Sequence, residues 1–271
     1  MKGKFVLAQV ASVGDPDVNL KKAKELAEKA YETYHPDVFV FPEMFMSFFP
    51  WRTDRDIVLS TAQPLDGPFV TQMRTLAKQY GMWIVFGMNE TVEAPDDDHS
   101  YNTIVVLDNR GEMVSTYRKT HLYDAFGYRE SDINKPGDRF FDPIETPFGK
   151  IGLFTCYEVR FPEVARDQRR KGADILLMPT AWAAGKMKSL HFHTLITARA
   201  LENGVYVLAC DQCGSDTIGE SVAVDPMGVT IASAGEGEEL ILAFTDTDRV
   251  KEVRRKVASF DQRRPDLYCG R

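Results

Sequence analysis

The feature that most constrains the fold of this chain is a pattern of elements that starts twice. The first copy opens with a strand, Lys4 to Ala11, and a helix from an Asn19 N-cap to about Tyr34. The strand Val38 to Phe41 follows, halted by Pro42. A second helix, opened by Gly67-Pro68 and closed by Gly81, leads to the strand Met82 to Met88. A hairpin then turns at Asp108-Asn109-Arg110-Gly111. From Gly149 the order repeats: Lys150 to Cys156 as strand, a helix from about Phe161 to Lys171, and the strand Ile175 to Met178 stopped by Pro179. A helix from about Leu190 to Asn203, closed by Gly204, precedes the strand Val205 to Ala209. Val222-Ala223-Val224-Asp225-Pro226-Met227-Gly228-Val229 then matches Val105 to Glu112 in step. Each copy is a sheet with its helices on one face. Two such sheets bury their bare faces against each other, which predicts an α/β fold, a four-layer αββα sandwich of two pseudo-repeated halves. Asp248 to Arg271 lies outside the repeat, is rich in charge, and reads as an arm over the surface or onto a partner subunit.

Composition excludes several function classes. A net charge of -7 disfavours a nucleic-acid partner or an anionic membrane surface. No apolar run approaches the ~20 residues of a membrane-spanning helix. Met1 to Ala11, interrupted by Gln9, is read as a core strand rather than a signal peptide. Cys156, Cys210, Cys213 and Cys269 show no disulfide-framework spacing, which suits a reducing cytosol. The expectation is a soluble, cytoplasmic protein of one domain, residues 1–271.

Three apolar runs end in a titratable residue: Phe39-Val40-Phe41-Pro42 in Glu43, Ser115-Thr116-Tyr117-Arg118 in Lys119, and Leu153-Phe154-Thr155 in Cys156. Strand ends in layered folds are where ligand sites collect. Cys156 enters a sharp turn before a helix opened by Pro162, and helix N-termini lower a thiol's pKa. A carboxylate, an ammonium and a thiol brought together make an acyl-transfer site. The glutamate takes the thiol proton and later activates water, and the lysine holds the oxyanion and favours thiolate. Taken singly, Glu43 and Lys119 read rather as solvated rim charges, and Cys156 as a small buried core residue.

In combination the residues are more specific. Phe41-Pro42-Glu43, Arg118-Lys119-Thr120-His121-Leu122 and Cys156-Tyr157-Glu158-Val159-Arg160-Phe161-Pro162-Glu163 resemble the three motif blocks of the carbon–nitrogen hydrolase (nitrilase) superfamily. Arg199-Ala200-Leu201-Glu202-Asn203 and Asp225-Pro226-Met227-Gly228 also sit where that family has such residues. The resemblance covers nearly the whole chain and implies the αββα fold. It also implies a Glu43–Lys119–Cys156 triad, with a second glutamate, Glu130, placed by the pattern Glu-Ser before Pro-Gly-Asp. The block after Cys156 is similar to the ω-amidase and deaminated-glutathione amidase type. The implied reaction is hydrolysis of a small linear amide through a cysteine thioester, with the Tyr157 N–H and Lys119 as oxyanion site. No metal and no organic cofactor are implied, and members generally form dimers or larger even-numbered assemblies, for which Asp261 to Tyr268 is the expected contact.

Arg160 reads in two ways: a bidentate clamp on a substrate carboxylate, or a structural ion pair behind the site. The ion pair is the slightly favoured expectation, because the family carries arginine there with many substrates. Trp182 is expected on the pocket wall, and Phe45, Phe48, Phe49 and Trp51 either at its mouth or in the core. Arg199 and Glu202 can pair along one helix, whereas His191 and His193 point to different faces. The same triad would serve an N-carbamoyl amino acid hydrolase or a nitrilase. Two other classes are a redox or metal module built on Cys210-Asp211-Gln212-Cys213, and a catalytically silent binding protein.

Overall fold

Alternation along the first strand decides the layering. In β1 (Lys2–Gln9) successive residues face opposite ways, and both ways are apolar. Phe5 and Leu7 pack in one cluster, Val6 and Ala8 in another. A strand buried on both faces belongs to a sheet covered on both faces. The computed structural model describes residues 1–94 and 98–268. Cys269 and part of the acidic turn after Glu93 fall outside the described residues.

The first half continues with α1 (Pro16–Tyr34), β2 (Val38–Val40), α2 (Arg55–Leu59), α3 (Pro68–Tyr80), β3 (Trp83–Thr91), β4 (Ser100–Leu107) and β5 (Met113–Arg118). A small hairpin, β6 (Asp124–Ala125) and β7 (Tyr128–Arg129), interrupts the long loop that follows. The second half comprises β8 (Ile144–Thr146), β9 (Gly149–Leu153), α4 (Pro162–Arg170), β10 (Ile175–Thr180), α5 (Lys188–Asn203), β11 (Tyr206–Asp211), β12 (Val222–Val224) and β13 (Thr230–Ser233). The chain closes with β14 (Glu239–Asp246), α6 (Thr247–Lys256) and α7 (Pro265–Tyr268).

The strands form two six-stranded sheets, ordered β14-β1-β2-β3-β4-β5 and β13-β12-β11-β10-β9-β8. β9 to β13 thus repeat β1 to β5, and the parallel register repeats too: Phe5 opposite Val38 and Val38 opposite Trp83, Ile151 opposite Ile175 and Ile175 opposite Tyr206. Each first strand takes an antiparallel neighbour, β8 in the second half and β14, returning from the chain's end, in the first. Phe5, Leu7, Val40 and Val85 of one sheet meet Leu153, Ile175, Leu177 and Leu208 of the other. Each such residue, fully buried, contributes roughly 2 kcal/mol from removal of apolar surface from water. Ala23, Ala27, Met73 and Leu76 cover the outer face of the first sheet, and Val164, Phe192 and Ile196 that of the second. The predicted αββα sandwich is the observed one.

Some boundaries differ. Helix α1 starts one turn earlier than expected, because Asp15 accepts from the Asp17 N–H and Pro16 supplies a pre-set first turn. Asn19 instead lies buried inside the helix, where it donates to the Val13 and Met46 carbonyls and ties α1 to the loop after Glu43. Asp248 to Lys256, expected as part of an arm, belongs to α6, whose Val250 and Val253 are buried. Beyond it, Phe260 lies beneath the guanidinium groups of Arg263 and Arg169.

Candidate active site

Glu43 arrives on the turn that leaves β2. The Gly87 N–H donates to the Pro42 carbonyl at 3.1 Å and the Met46 N–H to the Gly87 carbonyl at 3.0 Å, strapping this turn to β3. Gly87 permits the approach, since a Cβ there would lie 2.4 Å from the Met44 nitrogen. From across the sandwich, Gln212 Nε2 donates to the Glu43 carbonyl.

Lys119 follows β5, and Glu130 opens a short turn after β7. The four side chains Glu43, Asn102, Glu130 and Lys119 close a ring. Lys119 Nζ donates to Glu43 Oε1 at 2.9 Å and to Glu130 Oε2 at 2.8 Å. Asn102 Nδ2 donates to Glu43 Oε1 and Glu130 Oε1, both at 2.8 Å. Each carboxylate takes one further donor, the Ala181 N–H at 2.7 Å on Glu43 Oε2 and the Tyr123 N–H at 2.7 Å on Glu130 Oε2. All four side chains are buried. Burial opposes the ammonium charge, but the Glu130 and Glu43 carboxylates outweigh it and hold Lys119 well above the usual lysine range.

Cys156 lies just past β9, which ends at Leu153 rather than running on to the cysteine. Its φ of 48° is left-handed, uncommon outside glycine, and marks a sharp turn into a 3-10 segment, Cys156–Arg160. Glu158 fixes that turn. Its Oε2 accepts from the Thr155 N–H, while Oε1 accepts from Tyr117 Oη at 2.7 Å, the Thr120 N–H at 2.9 Å and Thr120 Oγ1 at 2.6 Å. Burial opposes ionisation of this carboxyl, yet the donors from His121, Thr120, Tyr117 and Thr155 hold it below the usual carboxylate range. One carboxylate thereby locks the cysteine turn to the segment that carries Lys119. Arg199 supports the turn from behind, donating to the Val159 carbonyl and pairing with Glu202 at 2.8 Å.

The expectation of a lowered thiol pKa is reversed. Burial first, then the Glu43 carboxylate, pushes Cys156 well above the usual thiol value. Lys119, the Thr180 hydroxyl and the Ala181 N–H act the other way and do not overcome them. The resting group is a thiol with a carboxylate beside it.

Glu43, Lys119, Glu130, Cys156, Tyr157, Arg160 and Trp182 all line one cleft. Trp51, Tyr123 and Lys188 line it as well. Phe45 is core, stacked on Phe41 at 4.2 Å. The favoured ion-pair reading of Arg160 is not what the structure shows. Among the described residues Arg160 has no carboxylate partner, and its Nε and Nη2 are buried without a hydrogen bond. The guanidinium instead lies 5.0 Å from the Trp182 ring centre and 5.9 Å from that of Tyr157. An ion pair behind the site would need an acid near the Val159 turn, and Glu202 there is taken by Arg199 and Arg166. Cys210 points between the sheets and donates to the Val40 and Ala8 carbonyls, so it is a core thiol; Cys213 is also buried.

Sequence reasoning missed Asn102, Lys188 and the scaffold role of Glu158. Only the last left a local trace, the Thr155-x-x-Glu158 spacing of a capping box. Asp211 was also missed: its Oδ1 accepts from the Trp182 N–H at 2.8 Å, and burial pushes its carboxyl well up.

A layered α/β sandwich that gathers a thiol, two carboxylates and an ammonium at its strand ends defines a hydrolase-type site. The carbon-nitrogen hydrolase family profile matches residues 6–255, and the chain belongs to that family of enzymes acting on carbon–nitrogen bonds. It is 39% identical over 230 residues to a deaminated glutathione amidase of Escherichia coli O157:H7, covering 84% of each chain. It is 34% identical over 284 residues to an omega-amidase of Saccharomyces cerevisiae, covering 98% of this chain and 95% of that one. Among solved structures, Saccharomyces cerevisiae Nit3, of branch 10 of the nitrilase superfamily, superposes with a TM-score of 0.85 at 32% identity, covering 97% of both chains.

Proposed function

We propose that the chain is a thiol amidase whose substrate is a small linear amide bearing a carboxylate, and that Arg160 binds that carboxylate. The observation that carries the second part is a half-buried guanidinium on the cleft wall with no acid beside it, its Nε and Nη2 buried without a hydrogen bond. Buried N–H groups left without acceptors are costly, and a ligand carboxylate would offset that cost with two charge-assisted hydrogen bonds. The amidase names of the relatives support an amide as the group cleaved.

In this reading Cys156 Sγ attacks the amide carbon while its proton passes to Glu43. The thiol's raised pKa makes that base necessary at the moment of attack. The carbonyl oxygen, now negative, is received by Lys119 Nζ and the Tyr157 N–H. Glu43 returns the proton to the amide nitrogen, the C–N bond breaks, and ammonia leaves a thioester on Cys156. A water molecule, deprotonated by Glu43, adds to the thioester; the C–S bond breaks, the carboxylic acid departs and the thiol regains its proton. Glu130 and Asn102 keep Lys119 and Glu43 in place throughout, and Trp182 forms the wall against which the acyl chain lies.

The test is ammonia release from succinamate, α-ketoglutaramate, glutamine, simple aliphatic amides, carbamoyl-β-alanine and a nitrile, with Cys156→Ala alongside. The expected result is release from a carboxylated amide, lowered roughly 10⁵-fold by the substitution. Carbon dioxide released with the ammonia from carbamoyl-β-alanine as best substrate would move the enzyme to the carbamoyl class. Preferred turnover of the nitrile would make it a nitrilase.

A further inference from the structure

Lys188 is the first residue of α5, and it sits there against the usual electrostatics. A helix N-terminus carries partial positive charge, so a lysine in the first turn is disfavoured. Nor does it behave as a solvated surface lysine. Met187 before it takes a left-handed φ of 63°, and Lys188 is only 7% exposed. Its Nζ donates to Tyr123 Oη at 3.0 Å and lies 3.9 Å from the Phe126 ring centre and 5.8 Å from that of Trp182. The Trp182 indole N–H in turn donates to the Lys188 carbonyl at 2.9 Å, fixing the pair together. Among the described residues no carboxylate pairs with Lys188. Arg160 shares both rings, at 5.0 Å from Trp182 and 6.0 Å from Phe126. Two cations therefore face one stretch of cleft wall, lined by aromatic rings and by no acid. Neutral rings stabilise a cation only modestly. They do not neutralise two.

We propose that Lys188 is a specificity-determining residue, sharing the substrate carboxylate with Arg160 so that the cleft selects amides with a free carboxylate over uncharged amides of the same length. This rests on the carboxylated-amide reading above and adds the second cation to it. The division of labour follows from the chemistry of the two groups. Arg160 offers a planar fork that fixes the orientation of a carboxylate, whereas Lys188 offers a point charge with two N–H donors left over after Tyr123. Burial, and then the Arg160 charge, lowers the Lys188 pKa below the usual lysine range. The other titratable groups facing it, the Cys156 thiol and the Tyr123 hydroxyl, are both pushed up, burial being the largest cause for each. Of the two cations, Lys188 is the one that can give up its charge as pH rises, because a guanidinium keeps its proton.

The experiment compares succinamate with pentanamide, an uncharged amide of matching length, in wild type, Lys188→Met, Lys188→Arg and Arg160→Met, reading ammonia release across pH. The expected result is that Lys188→Met lowers the succinamate-to-pentanamide ratio of kcat/KM about tenfold, through KM for succinamate. Lys188→Arg should restore most of the ratio and move the alkaline fall in succinamate kcat/KM to higher pH, because a guanidinium keeps its proton there. A purely structural lysine would lower both substrates together, leave the ratio unchanged, and so overturn the proposal. An unchanged ratio in Lys188→Met with a collapsed ratio in Arg160→Met would overturn it while leaving the carboxylated-amide reading intact. No preference for succinamate in wild type would overturn that reading first, and this proposal with it.

Discussion

Two sets of charged side chains share the cleft and are treated in opposite ways. Glu43, Lys119, Glu130 and Asn102 bond one another in a closed ring, with the Ala181 and Tyr123 N–H groups adding one further donor to each carboxylate. Arg160 and Lys188, on the same cleft, have no acid partner among the described residues. The first set is held by bonds among its own members before any substrate arrives, so its geometry is preorganised, and in the proposed reading its task is the chemistry. The second set lacks an acid partner, and in the proposed reading a substrate carboxylate supplies it. An enzyme acting on a carboxylated amide needs both kinds of site, and in the proposed reading they are distinct sets of residues.

The largest expected effect breaks the first set. Glu43→Gln keeps the shape and removes the base that the raised thiol pKa makes necessary. It should lower kcat for the preferred amide by about 10³-fold, within the range for loss of a positioned general base. Rapid-quench measurement of the thioester should show that its formation is slowed as well as its breakdown. Unimpaired acylation would mean that some other group takes the thiol proton.

A smaller effect is expected from breaking the second set. Arg160→Met should raise KM for a carboxylated amide by 10- to 100-fold, roughly the value of one or two charge-assisted hydrogen bonds. The change in kcat should be much smaller, because the inner ring does not touch Arg160. Steady-state kinetics checks this directly. A fall in kcat with unchanged KM would place Arg160 with the chemistry and erase the distinction between the two sets.

The same distinction explains what could be read from the sequence. The repeat, the layers and the three strand ends were legible because they rest on local period and on residues that follow an apolar run. Glu43, Lys119 and Cys156 could therefore be named, although their convergence came from the family resemblance, as did Glu130. Asn102 was not legible. It bonds Glu43 across 59 residues and Glu130 across 28, and nothing around it distinguishes it from any polar residue on a strand. Arg160 was visible but weighed towards an ion pair, because whether an acid lies nearby is a tertiary fact. The thiol's pKa went the wrong way for a related reason: the nearby helix start was local, while the burial and the Glu43 charge that outweigh it were not.

The completed state of the first set must itself be held, and Glu158 is the group that holds it. It touches neither Lys119 nor Cys156 through its side chain, yet it bonds the segments that carry both. Its folded pKa is depressed below the usual carboxylate value of 4.5. Its contribution to stability is therefore present above about that unfolded value and is lost as pH falls through the lower folded value. Glu158→Gln keeps the volume, removes the charge and turns an acceptor of the Tyr117, Thr120 and Thr155 donors into a poorer one. The expected cost is about 2 kcal/mol at neutral pH, as for loss of a buried charge-assisted bond. That difference from wild type should shrink below pH 4.5, as the unfolded carboxyl takes up its proton, and level off once pH has fallen through the lower folded value. Chemical denaturation across pH 3 to 7 would read both quantities. A difference constant across that range would mean that Glu158 acts through shape alone, and that the ring of Glu43, Lys119 and Glu130 holds its geometry without it.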